Sequence, residues 1–486
     1  MFNVLRAEEV RLAEKKLIDG GINEMFLRYN AALAVVDCAI DYSKAEDAKT
    51  AVFCGSGGNG YDGFIIAARL KKLGCKTAVY LVGDRKKFKR DALGFIDNEG
   101  VDVFDSVDYK GGANVLIDAI FGIGLNREIA GSTKELIDKL NAEDNAYRIA
   151  VDIPSGIDSD SGEVLGAAFR ADLTVTFSCY KFGMLFGKGK DLCGRIKVCD
   201  VGVKTESLIH VFDDGDFKPF KRNASAHKGT AGRVFVIGGC GNMIGAPLLA
   251  GAAAHAAYLN GAGTVTVCVP AIHRAATSAR VAMAMMKYLP DTADGYVKFD
   301  KKSLDEIISR ATAIDIGMGM GATPDLKKIV IYICENFCGT LIIDADALNA
   351  IKNDYGFLKS AKCKIILTPH VGEFRRLTGM QATVENAFEF AENTCVTLVL
   401  KSATTIITDG NEIRLNIAGT PAMAKGGMGD VLGGCIAALS CSYSPIDAAS
   451  VACYRNGMGA ERAVSAYAKT MLTAKDVLEY AKYDEI

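Results

Sequence analysis

The stretch Thr50-Ala-Val-Phe-Cys-Gly-Ser-Gly-Gly-Asn-Gly60 decides the fold of the first half of this chain. Its first five residues predict a buried strand, and the segment Gly63–Leu73 after the loop has a helical pattern. The loop satisfies G-x-G-x-x-G, and Asp84 after the next strand completes a passable dinucleotide-binding fingerprint. Asn59 and Asp62 lie where a pyrophosphate-binding turn needs bare backbone. The loop is therefore expected to carry ligands of its own, and a plain nicotinamide dehydrogenase is disfavoured.

Short β-branched runs alternate with helical patterns along the chain, which predicts parallel sheets covered by helices. The first half has further predicted strands at Thr77–Val82, Asn114–Ala119, Arg148–Ile153, Leu173–Phe177 and Ile196–Val201. The charged stretch Asp213–Ala226 breaks this rhythm. After it, strands are predicted at Arg233–Gly238, Thr264–Val269, Thr312–Ile316, Thr340–Ala345, Lys364–Thr368, Thr397–Lys401 and Thr404–Asp409. We therefore predict an α/β protein with a Rossmann-like, three-layer αβα domain at residues 1–212, a linker at 213–226 and a second α/β domain at 227–486.

Composition excludes several classes of protein. With 486 residues and 50% hydrophobic content the chain can bury large cores, and its net charge of −2 argues against a nucleic-acid or anionic-membrane partner. The fifteen cysteines form no C-x-x-C pair and many lie in apolar runs, which indicates buried thiols in a reducing compartment. Residues Met1–Lys16 lack an apolar signal core, and no run reaches the length of a membrane span. We predict a soluble, cytoplasmic protein.

Polar side chains follow three predicted strands of the first half. Asn59 and Asp62 lie in the glycine-rich loop, Asp118 ends a strand, and Asp152 and Ser155 follow the next one. Because the carboxyl ends of neighbouring parallel strands meet in one crevice, these side chains are expected to face one another. Their oxygens suit a hard cation, and an additional acid is left for proton transfer. The alternative is that the strand-end aspartates only cap the turns that follow them.

A second glycine-rich turn, Ala424-Lys-Gly-Gly-Met-Gly-Asp-Val-Leu-Gly-Gly434, lies near the end of the second half. Glycines at a helix start let backbone N–H groups point at an anion, where the helix dipole favours negative charge. The Asp430 carboxylate would repel that anion unless it had a chemical role, so we interpret it as a base beside a transferring phosphoryl group. The alternative is an ordinary helix N-cap after a flexible loop.

Further polar residues follow other predicted strands of the second half. The turn Lys401–Thr405 supplies an ammonium group and hydroxyls for phosphates, or else forms an exposed threonine-rich hairpin. His370 ends a strand with Glu373 nearby as a partner, although a lone histidine is more often structural. Asp344 and Asp346 flank a strand end and either position magnesium or the site loops, or cap a helix.

The motifs of both halves resemble those of one enzyme family. Three segments of the first half look like motifs of the NAD(P)H-hydrate epimerase domain: Cys54–Gly63, Asp118–Leu125 and Val151–Gly156. Four segments of the second half are similar to those of the ADP- or ATP-dependent NAD(P)H-hydrate dehydratase, a ribokinase-like domain: His227–Thr230, Asp344–Asn349, Thr368–Glu373 and Gly427–Asp430. The resemblances cover nearly the whole chain, in the order found in the bifunctional repair enzymes.

The resemblance implies a metabolite-repair enzyme. NADH and NADPH slowly add water across the nicotinamide ring to give R and S hydrates. The epimerase domain interconverts these hydrates, and the dehydratase domain restores the S form with ATP, or with ADP and release of AMP and phosphate. The resemblance also implies potassium at the first site and magnesium with ADP or ATP at the second. We further expect a homo-oligomer.

The family's site residues are carried over position by position. Potassium would be held by Asn59, Asp118 and Ser155. In the first half the hydrate would contact Gly58, Asn59, Gly60, Tyr61, Asp62, Gly122, Ile123, Gly124, Leu125, Asn126, Arg127, Glu128 and the proton-transfer residue Asp152. In the second half it would contact Ala262, Gly321, His370 and the catalytic base Asp430. The nucleotide would be held by Lys401, Ser402, Ala403, Thr404, Thr405 and Gly429.

Several positions depart from the family pattern. Leu27-Arg-Tyr-Asn30 stands where the family has Leu-Met-Glu-Asn, and Gly58 and Tyr61 replace an asparagine and a glycine of the epimerase loop. In the second half, Met428 replaces a threonine and Gly317-Met-Gly-Met-Gly321 replaces Gly-Pro-Gly-Leu-Gly. The alternative function is a ribokinase-like small-molecule kinase with a non-catalytic, nucleotide-binding first domain.

Overall fold

The computed structural model describes residues 1–44, 47–216, 231–241, 243, 262–277, 284–467 and 471–481. The chain divides into two compact units, Phe2–Ser207 and a second of Met1 with Leu208–Ile486. The predicted boundary at residue 212 lies beyond Ser207, because the strand Ile209–Val211 pairs in parallel with Ile413–Asn416 of the second unit. The predicted linker from residue 217 onward and the motif His227–Thr230 lie outside the described residues.

A fully parallel sheet forms the centre of the first unit. Its strands are hydrogen-bonded in the order Asp102–Asp105, Lys76–Leu81, Lys49–Cys54, Val115–Ala119, Tyr147–Val151, Leu173–Phe177 and Arg195–Cys199. The predicted strands of this half are confirmed. The strand Asp102–Asp105 and the parallel pair Phe2–Leu5 with Tyr180–Lys181 were not predicted. The strands that follow Lys49–Cys54 in sequence lie on one side of it, and those that follow Val115–Ala119 lie on the other side, so the strand order reverses between these two neighbours. The loops after these two strands therefore border a crevice.

Both faces of this sheet are buried, which confirms three layers. Along Lys49–Cys54, Val52 and Cys54 belong to one hydrophobic cluster, whereas Ala51 and Phe53 belong to another. The α-helices are Ala7–Asp19, Glu24–Ser43, Gly58–Lys72, Arg90–Asn98, Gly131–Asn141 and Gly189–Leu192, with 3-10 turns at Arg85–Lys87, Ser106–Asp108 and Phe182–Met184.

Close packing at the glycine-rich loop depends on Gly63. A Cβ at this position would lie 2.7 Å from both Ala119 Cβ and Cys54 Sγ. The missing side chain therefore lets the helix Gly58–Lys72 lie directly on the two central strands and fixes the height of the loop above the sheet.

The sheet of the second unit is parallel at one end and antiparallel at the other. Its strand order is Met285–Leu289, Thr264–Pro270, Arg233–Ile237, Ala313–Ile316, Thr340–Ile343, Lys364–Leu367, Thr397–Leu400, Thr405–Thr408, Ile413–Asn416 and Ile209–Val211. The predicted strands are again confirmed. Met285–Leu289, Ile413–Asn416 and Ile209–Val211 were not predicted. The strands on either side of the turn Lys401–Thr405 form an antiparallel hairpin, and Ile413–Asn416 continues the antiparallel pairing.

Helices Met428–Leu439 and Pro445–Tyr467 pack in one hydrophobic cluster with the parallel strands. The other α-helices that the structure describes in this unit are Arg274–Thr277, Lys301–Ile308, Pro324–Asn336, Ala345–Ala350, Val371–Thr378, Val384–Thr394 and Ala474–Tyr480, with 3-10 turns at Asp214–Asp216, Ala271–His273, Gly356–Ser360 and Pro421–Met423. Across the part of the chain that the structure describes, no helix combines the length and apolar character needed to cross a membrane.

Candidate active sites

In the first unit, the glycine-rich loop after Cys54 lies against the loop after Ala119. A Cβ built on Gly122 would lie 3.5 Å from the Asn59 side chain, so these two predicted hydrate contacts are neighbours. The Nδ2 atom of Asn59 is buried and has no hydrogen-bond partner among the described residues. A buried polar group without a partner costs about 1–3 kcal/mol, so this position favours a ligand.

Asp118 and Ser155 form the second part of this site. The fully buried Asp118 carboxylate accepts hydrogen bonds from the Ser155 hydroxyl at 2.6 Å and from the Ser155 backbone N–H at 2.7 Å. The Ser155 hydroxyl oxygen accepts from the Phe121 N–H at 2.8 Å, which ties the two strand-end loops together. Burial raises the pKa of Asp118 to about 6, although hydrogen bonds from Ser155 and Ile120 oppose the shift. Two of the three predicted potassium ligands are thus in direct contact.

Asp152 is paired with a buried lysine that the sequence analysis missed. Lys181 is 1% exposed, and its Nζ donates to Asp152 Oδ1 at 2.5 Å. Two further acceptors, Thr176 Oγ1 at 2.7 Å and the Phe177 carbonyl oxygen at 3.3 Å, surround the ammonium group. Asp152 has a φ of 68°, in the left-handed region, which turns the chain sharply after its strand. A lone lysine in the otherwise apolar run Cys179–Phe182 is the signal that could have revealed it.

Arg28, a departure from the family pattern, is tied to the glycine-rich loop. Its Nη1 donates to Asp62 Oδ1 and to the Gly58 carbonyl oxygen, both at 3.1 Å. Its Nη2 donates to Glu24 Oε1 at 2.7 Å. Burial raises the pKa of Asp62 to about 7, although the Arg28 charge opposes the shift. The start of the helix Gly58–Lys72, and not the loop before it, therefore holds an acid whose pKa lies near neutral pH.

The remaining predicted residues of the first unit lie in its loops. The Tyr61 hydroxyl donates to Asp91 Oδ2 at 3.3 Å, and the Arg28 guanidinium lies 5.3 Å from the centre of the Tyr61 ring. Arg11 donates to a carbonyl oxygen of the loop Gly122–Glu128 at 2.9 Å, and the last three residues of that loop are exposed. These residues border the site, and these contacts do not involve Asp118, Asp152 or Lys181.

In the second unit, Lys401, Asp344 and Gly429 meet at the carboxyl edge of the sheet. Lys401 Nζ donates to Asp344 Oδ1 at 3.1 Å. A Cβ built on Gly429 would lie 3.4 Å from Lys401 Nζ and 3.6 Å from Asp344 Oδ2, so glycine lets the helix Met428–Leu439 begin against the ion pair. Burial acts to lower the pKa of Lys401, but Asp344 and Glu373 raise it overall. The ammonium group therefore stays charged.

Asp430 lies in the first turn of that helix, directly after Gly429. The helix N-cap is Gly427, with a φ of 91°, so the alternative in which Asp430 is the N-cap is wrong. Burial and the charge of Asp344 raise the pKa of Asp430 to about 6, while Lys401 opposes the shift. A carboxylate with this pKa is ionised at neutral pH and still basic enough to accept a proton.

A third carboxyl group, on Asp315, lies beneath the same helix and was missed by the sequence analysis. Asp315 is fully buried, and among the described residues neither of its oxygens has a hydrogen-bond partner. Those oxygens would lie 2.7 and 3.1 Å from a Cβ on Gly433, which shows how closely the helix rests on it. Burial raises the pKa of Asp315 well above its usual range, and Asp344 and Asp430 add to the shift.

His370 has the structural role that was left open as an alternative. It is the N-cap of the helix Val371–Thr378, where its Nδ1 accepts from the Gly372 N–H at 3.0 Å. Its own backbone N–H donates to Glu373 Oε2 at 2.9 Å, which completes a capping box. The His370 backbone also bridges to Lys401, so the residue borders the site.

Asp344 caps a helix and Asp346 positions a site loop, and both roles were among the alternatives that the sequence left open. Asp344 accepts from the first N–H of the helix Ala345–Ala350 at 2.8 Å and is its N-cap. Asp346 Oδ2 accepts from the Gly321 N–H at 2.8 Å. Gly321 has a φ of 71°, and a Cβ there would lie 2.6 Å from the Tyr296 ring. Asp346 thus holds the predicted hydrate loop in place.

The turn Lys401–Thr405 joins two antiparallel strands, and its hydroxyls bond within the turn. Ser402 Oγ donates to the Thr404 carbonyl oxygen at 2.5 Å, and Thr405 Oγ1 donates to the Ser402 carbonyl oxygen at 3.3 Å. Ala262 lies just before the strand Thr264–Pro270, at the opposite end of the sheet from this turn. The structure does not bring Ala262 together with the other predicted contacts.

Comparison with known proteins defines the class. Residues 234–482 match the model of the NAD(P)H-hydrate dehydratase family, and residues 24–183 match that of the YjeF-related protein N-terminus. The second unit therefore carries the NAD(P)H-hydrate dehydratase match and the first unit the YjeF-related match. An ADP/ATP-dependent NAD(P)H-hydrate dehydratase from Bacillus subtilis, solved with ATP and Mg²⁺, is 29% identical, covers 54% of this chain and 91% of its own, and has a TM-score of 0.46.

Relatives that match over nearly the whole chain show the family to which it belongs. The bifunctional NAD(P)H-hydrate repair enzyme of Hyperthermus butylicus is 32% identical over 94% of this chain and 88% of its own length. That of Coxiella burnetii is 32% identical over 98% of this chain and 97% of its own length. The chain belongs to the family of bifunctional NAD(P)H-hydrate repair enzymes.

Proposed function

We propose that this chain repairs hydrated NADH and NADPH. Its first unit interconverts the R and S hydrates, and its second unit dehydrates the S hydrate at the expense of ADP or ATP. The observation that carries the proposal is the meeting of Asp430, Lys401 and Asp344 at a helix start on the carboxyl edge of the second sheet. In this proposal Asp430 is the base and Lys401 is the phosphate-binding cation beside it.

The second site supplies what dehydration requires. Hydroxide is a poor leaving group, whereas a phosphorylated hydroxyl leaves readily as phosphate. The hydroxyl oxygen of the hydrate attacks the terminal phosphoryl group of the nucleotide, and Asp430 accepts the hydroxyl proton. When the nucleotide is ADP, the leaving group is AMP. The N–H groups at the start of the helix Met428–Leu439 and the Lys401 ammonium stabilise the transferring charge. Elimination of phosphate, with loss of a proton from the neighbouring ring carbon to solvent, then restores the reduced nicotinamide ring.

Magnesium fits this site as a companion of the nucleotide. Burial raises the pKa values of Asp315 and Asp430, and the negative charge of Asp344 adds to both shifts, which favours a cation nearby. Among the residues that the structure describes, however, no three acidic, histidine or cysteine side chains are grouped closely enough to form a metal site of their own. Magnesium would therefore arrive on the phosphates, and its chemistry there is neutralisation of phosphate charge.

The first site supplies a proton-transfer residue held by a buried cation. Inversion at the hydroxyl-bearing carbon requires a group that removes a proton from the hydrate and returns it. Asp152 takes this role, and Lys181 fixes the direction of its carboxylate through the 2.5 Å hydrogen bond. Asp62, with a pKa of about 7, is a second group able to hold a proton at neutral pH.

Potassium fits the first site. Asn59, Asp118 and Ser155 would hold it through amide, carboxylate and hydroxyl oxygens. The unpartnered amide end of Asn59 supports this assignment, because exchange of its oxygen and nitrogen would aim an acceptor at the same buried position. When bound, the ion supplies positive charge between the two strand-end loops.

We place the reaction in the cytoplasm, in a homo-oligomer. The fifteen cysteines are all free thiols, which is typical of a reducing compartment that also holds ADP, ATP and reduced nicotinamide cofactors. The net charge of −2 agrees with small-molecule substrates and with no nucleic-acid partner.

The decisive experiment mixes the purified chain with both NADH hydrates, magnesium, potassium and either ADP or ATP. We expect the absorbance of reduced nicotinamide to return for both hydrates, with one free phosphate released for each molecule repaired. Accumulation of a stable phosphorylated product would instead identify a small-molecule kinase. Repair that stops with the R hydrate left over would show that the first unit is a non-catalytic module.

A further inference from the structure

Two partly exposed thiols of the first unit, on Cys38 and Cys199, are hydrogen-bonded to each other. Cys38 belongs to the helix Glu24–Ser43, and Cys199 ends the strand Arg195–Cys199. Both side chains pack against the same hydrophobic cluster, so the helix lies over the end of this strand. The fold therefore brings together two cysteines that lie far apart in the sequence, and neither belongs to the proposed active sites.

The surroundings of this pair make Cys38 the more nucleophilic member. Its sulfur accepts hydrogen bonds from the Cys199 thiol and from the ammonium group of the exposed Lys197, and these bonds lower the pKa of Cys38. Burial and the Asp37 charge oppose this shift. The hydrogen bond with Cys38 raises the pKa of Cys199, so Cys199 keeps its proton. A thiolate beside a protonated thiol is typical of cysteine pairs in which one sulfur attacks and the other resolves.

We propose that Cys38 and Cys199 form a site of reversible oxidation, at which a peroxide joins the two sulfurs in a disulfide. The Cys38 thiolate attacks one peroxide oxygen, so an S–O bond forms, the O–O bond breaks, and the departing oxygen takes up a proton. The Cys199 sulfur then attacks the Cys38 sulfur, so an S–S bond forms and the S–O bond breaks. The leaving hydroxide takes the Cys199 proton and becomes water. Two electrons have then passed from the two sulfurs to the peroxide.

The position of the pair favours both formation and reversal of this disulfide. Arg195–Cys199 is the outermost strand of its sheet and is hydrogen-bonded on one side, to Leu173–Phe177. Because fewer hydrogen bonds hold an edge strand than a central one, it can shift to bring the two sulfurs into bonding distance. Their partial exposure lets small thiols reverse the disulfide by exchange, as is usual for disulfides in a reducing compartment.

A second pair of hydrogen-bonded thiols, Cys334 and Cys363 of the second unit, is an internal control. Cys334 is 1% exposed and Cys363 is 8% exposed. Oxidation of a cysteine requires access of the oxidant as well as a thiolate, so burial should keep this pair reduced in the folded chain. The two pairs therefore separate simple proximity of two sulfurs from the accessibility and charge that the proposal requires.

The first measurement uses the unmutated, fully reduced chain and a brief treatment with hydrogen peroxide. The remaining thiols are then alkylated in denaturant, and the digested peptides are identified by mass spectrometry. We expect a linked peptide containing Cys38 and Cys199, lighter by about 2 Da than its two reduced parts together and lost after treatment with dithiothreitol. Cys334 and Cys363 should be fully alkylated. Full alkylation of Cys38 and Cys199, or a Cys334–Cys363 link that forms as fast, would overturn the proposal.

The second measurement assigns the attacking and the resolving thiol. In Cys199→Ser, oxidation should stop at a sulfenic acid on Cys38, which dimedone captures, whereas Cys38→Ser should leave Cys199 unmodified. Lys197→Met, made in the Cys199→Ser chain, should slow this capture at least about threefold, because Cys38 loses its cation. The matched control Lys204→Met removes another exposed lysine and should leave the rate unchanged. Capture at Cys199, or equal rates for the two lysine variants, would overturn the proposal.

Discussion

Lys181→Met tests whether the buried ion pair of the first unit supports both its fold and its chemistry. The side chains of Lys181 and Asp152 are 1% and 14% exposed, so the substitution leaves a carboxylate largely buried without its cation. Breaking a buried pair from one side costs about 3–5 kcal/mol. The Thr176 hydroxyl, 3.2 Å from Asp152 Oδ1, remains as a partner, so we expect the lower end, about 3 kcal/mol. For a unit of about 200 residues this lowers the unfolding midpoint by about 6–12 °C.

The double variant Asp152→Asn/Lys181→Met separates stability from catalysis. Asparagine is the right replacement because Asp152 has a φ of 68°, which asparagine tolerates. Asp152→Asn alone leaves the ammonium group buried and should cost about as much as Lys181→Met. With neither charge present, we expect most of the stability to return, which gives a coupling free energy of about 2 kcal/mol or more.

The pH dependence of the single variant has a definite sign. Burial and the Asp152 charge raise the pKa of Glu14, whereas the Lys181 charge opposes the shift. Removal of Lys181 raises the pKa of Glu14 further, so Lys181→Met should lose more stability at pH 8 than at pH 5. The Glu14 carboxyl therefore ionises, at a cost to the folded state, as the pH rises.

Unfolding followed by circular dichroism measures the stability of each variant, with the transition of the first unit fitted separately. Hydrate interconversion measured by chromatography should fall by at least about 100-fold in both single variants and in the double variant. Dehydration of the S hydrate should be unchanged in all three. Additive free energies, or a double variant that still interconverts the hydrates, would refute the reasoning.

Two predictions concern the second unit. Asp430→Asn should slow dehydration by about 10²–10⁴-fold while ADP binding is retained. In the unmutated chain the rate should fall about tenfold per pH unit below about pH 6, because protonation removes the base. A flat acid limb would contradict the assignment. Lys401→Ala should weaken ADP or ATP binding by about 1–3 kcal/mol and leave hydrate affinity nearly unchanged in calorimetry, whereas equal losses for both ligands would make Lys401 structural.

The parallel strands were predictable because burial on both faces demands continuous β-branched runs. Leu173–Phe177 has the predicted bounds for this reason, with four of its five residues buried. Asp102–Asp105 lies at the sheet edge without a buried residue, so it carries no such signal. Ile413–Asn416 was not predicted because Arg414 interrupts its apolar pattern. The Arg414 guanidinium is buried through ion pairs with Asp447 and Glu412.

The candidate site residues were predictable where polar side chains directly follow the end of a strand. Asp118 and Ser155 were expected to converge and do hydrogen-bond, because parallel topology brings their loops together. Lys181 and Asp315 were missed because their roles depend on partners and packing far away in sequence. Lys181 is buried among Asp152 and two further acceptors, and Asp315 lies beneath the helix Met428–Leu439.

Burial decides what the lysine–aspartate pair does in each unit. The Lys181 ammonium is enclosed by three protein acceptors, so it can hold the Asp152 carboxylate but has no access to a ligand through solvent. In the second unit the exposure is reversed, because Lys401 is 22% exposed and its partner Asp344 only 4%. The buried Asp344 therefore anchors the Lys401 ammonium group, and in the proposed function phosphate oxygens accept from its remaining donors. Under that proposal, the same pair of residue types orients a base in one unit and binds an anion in the other.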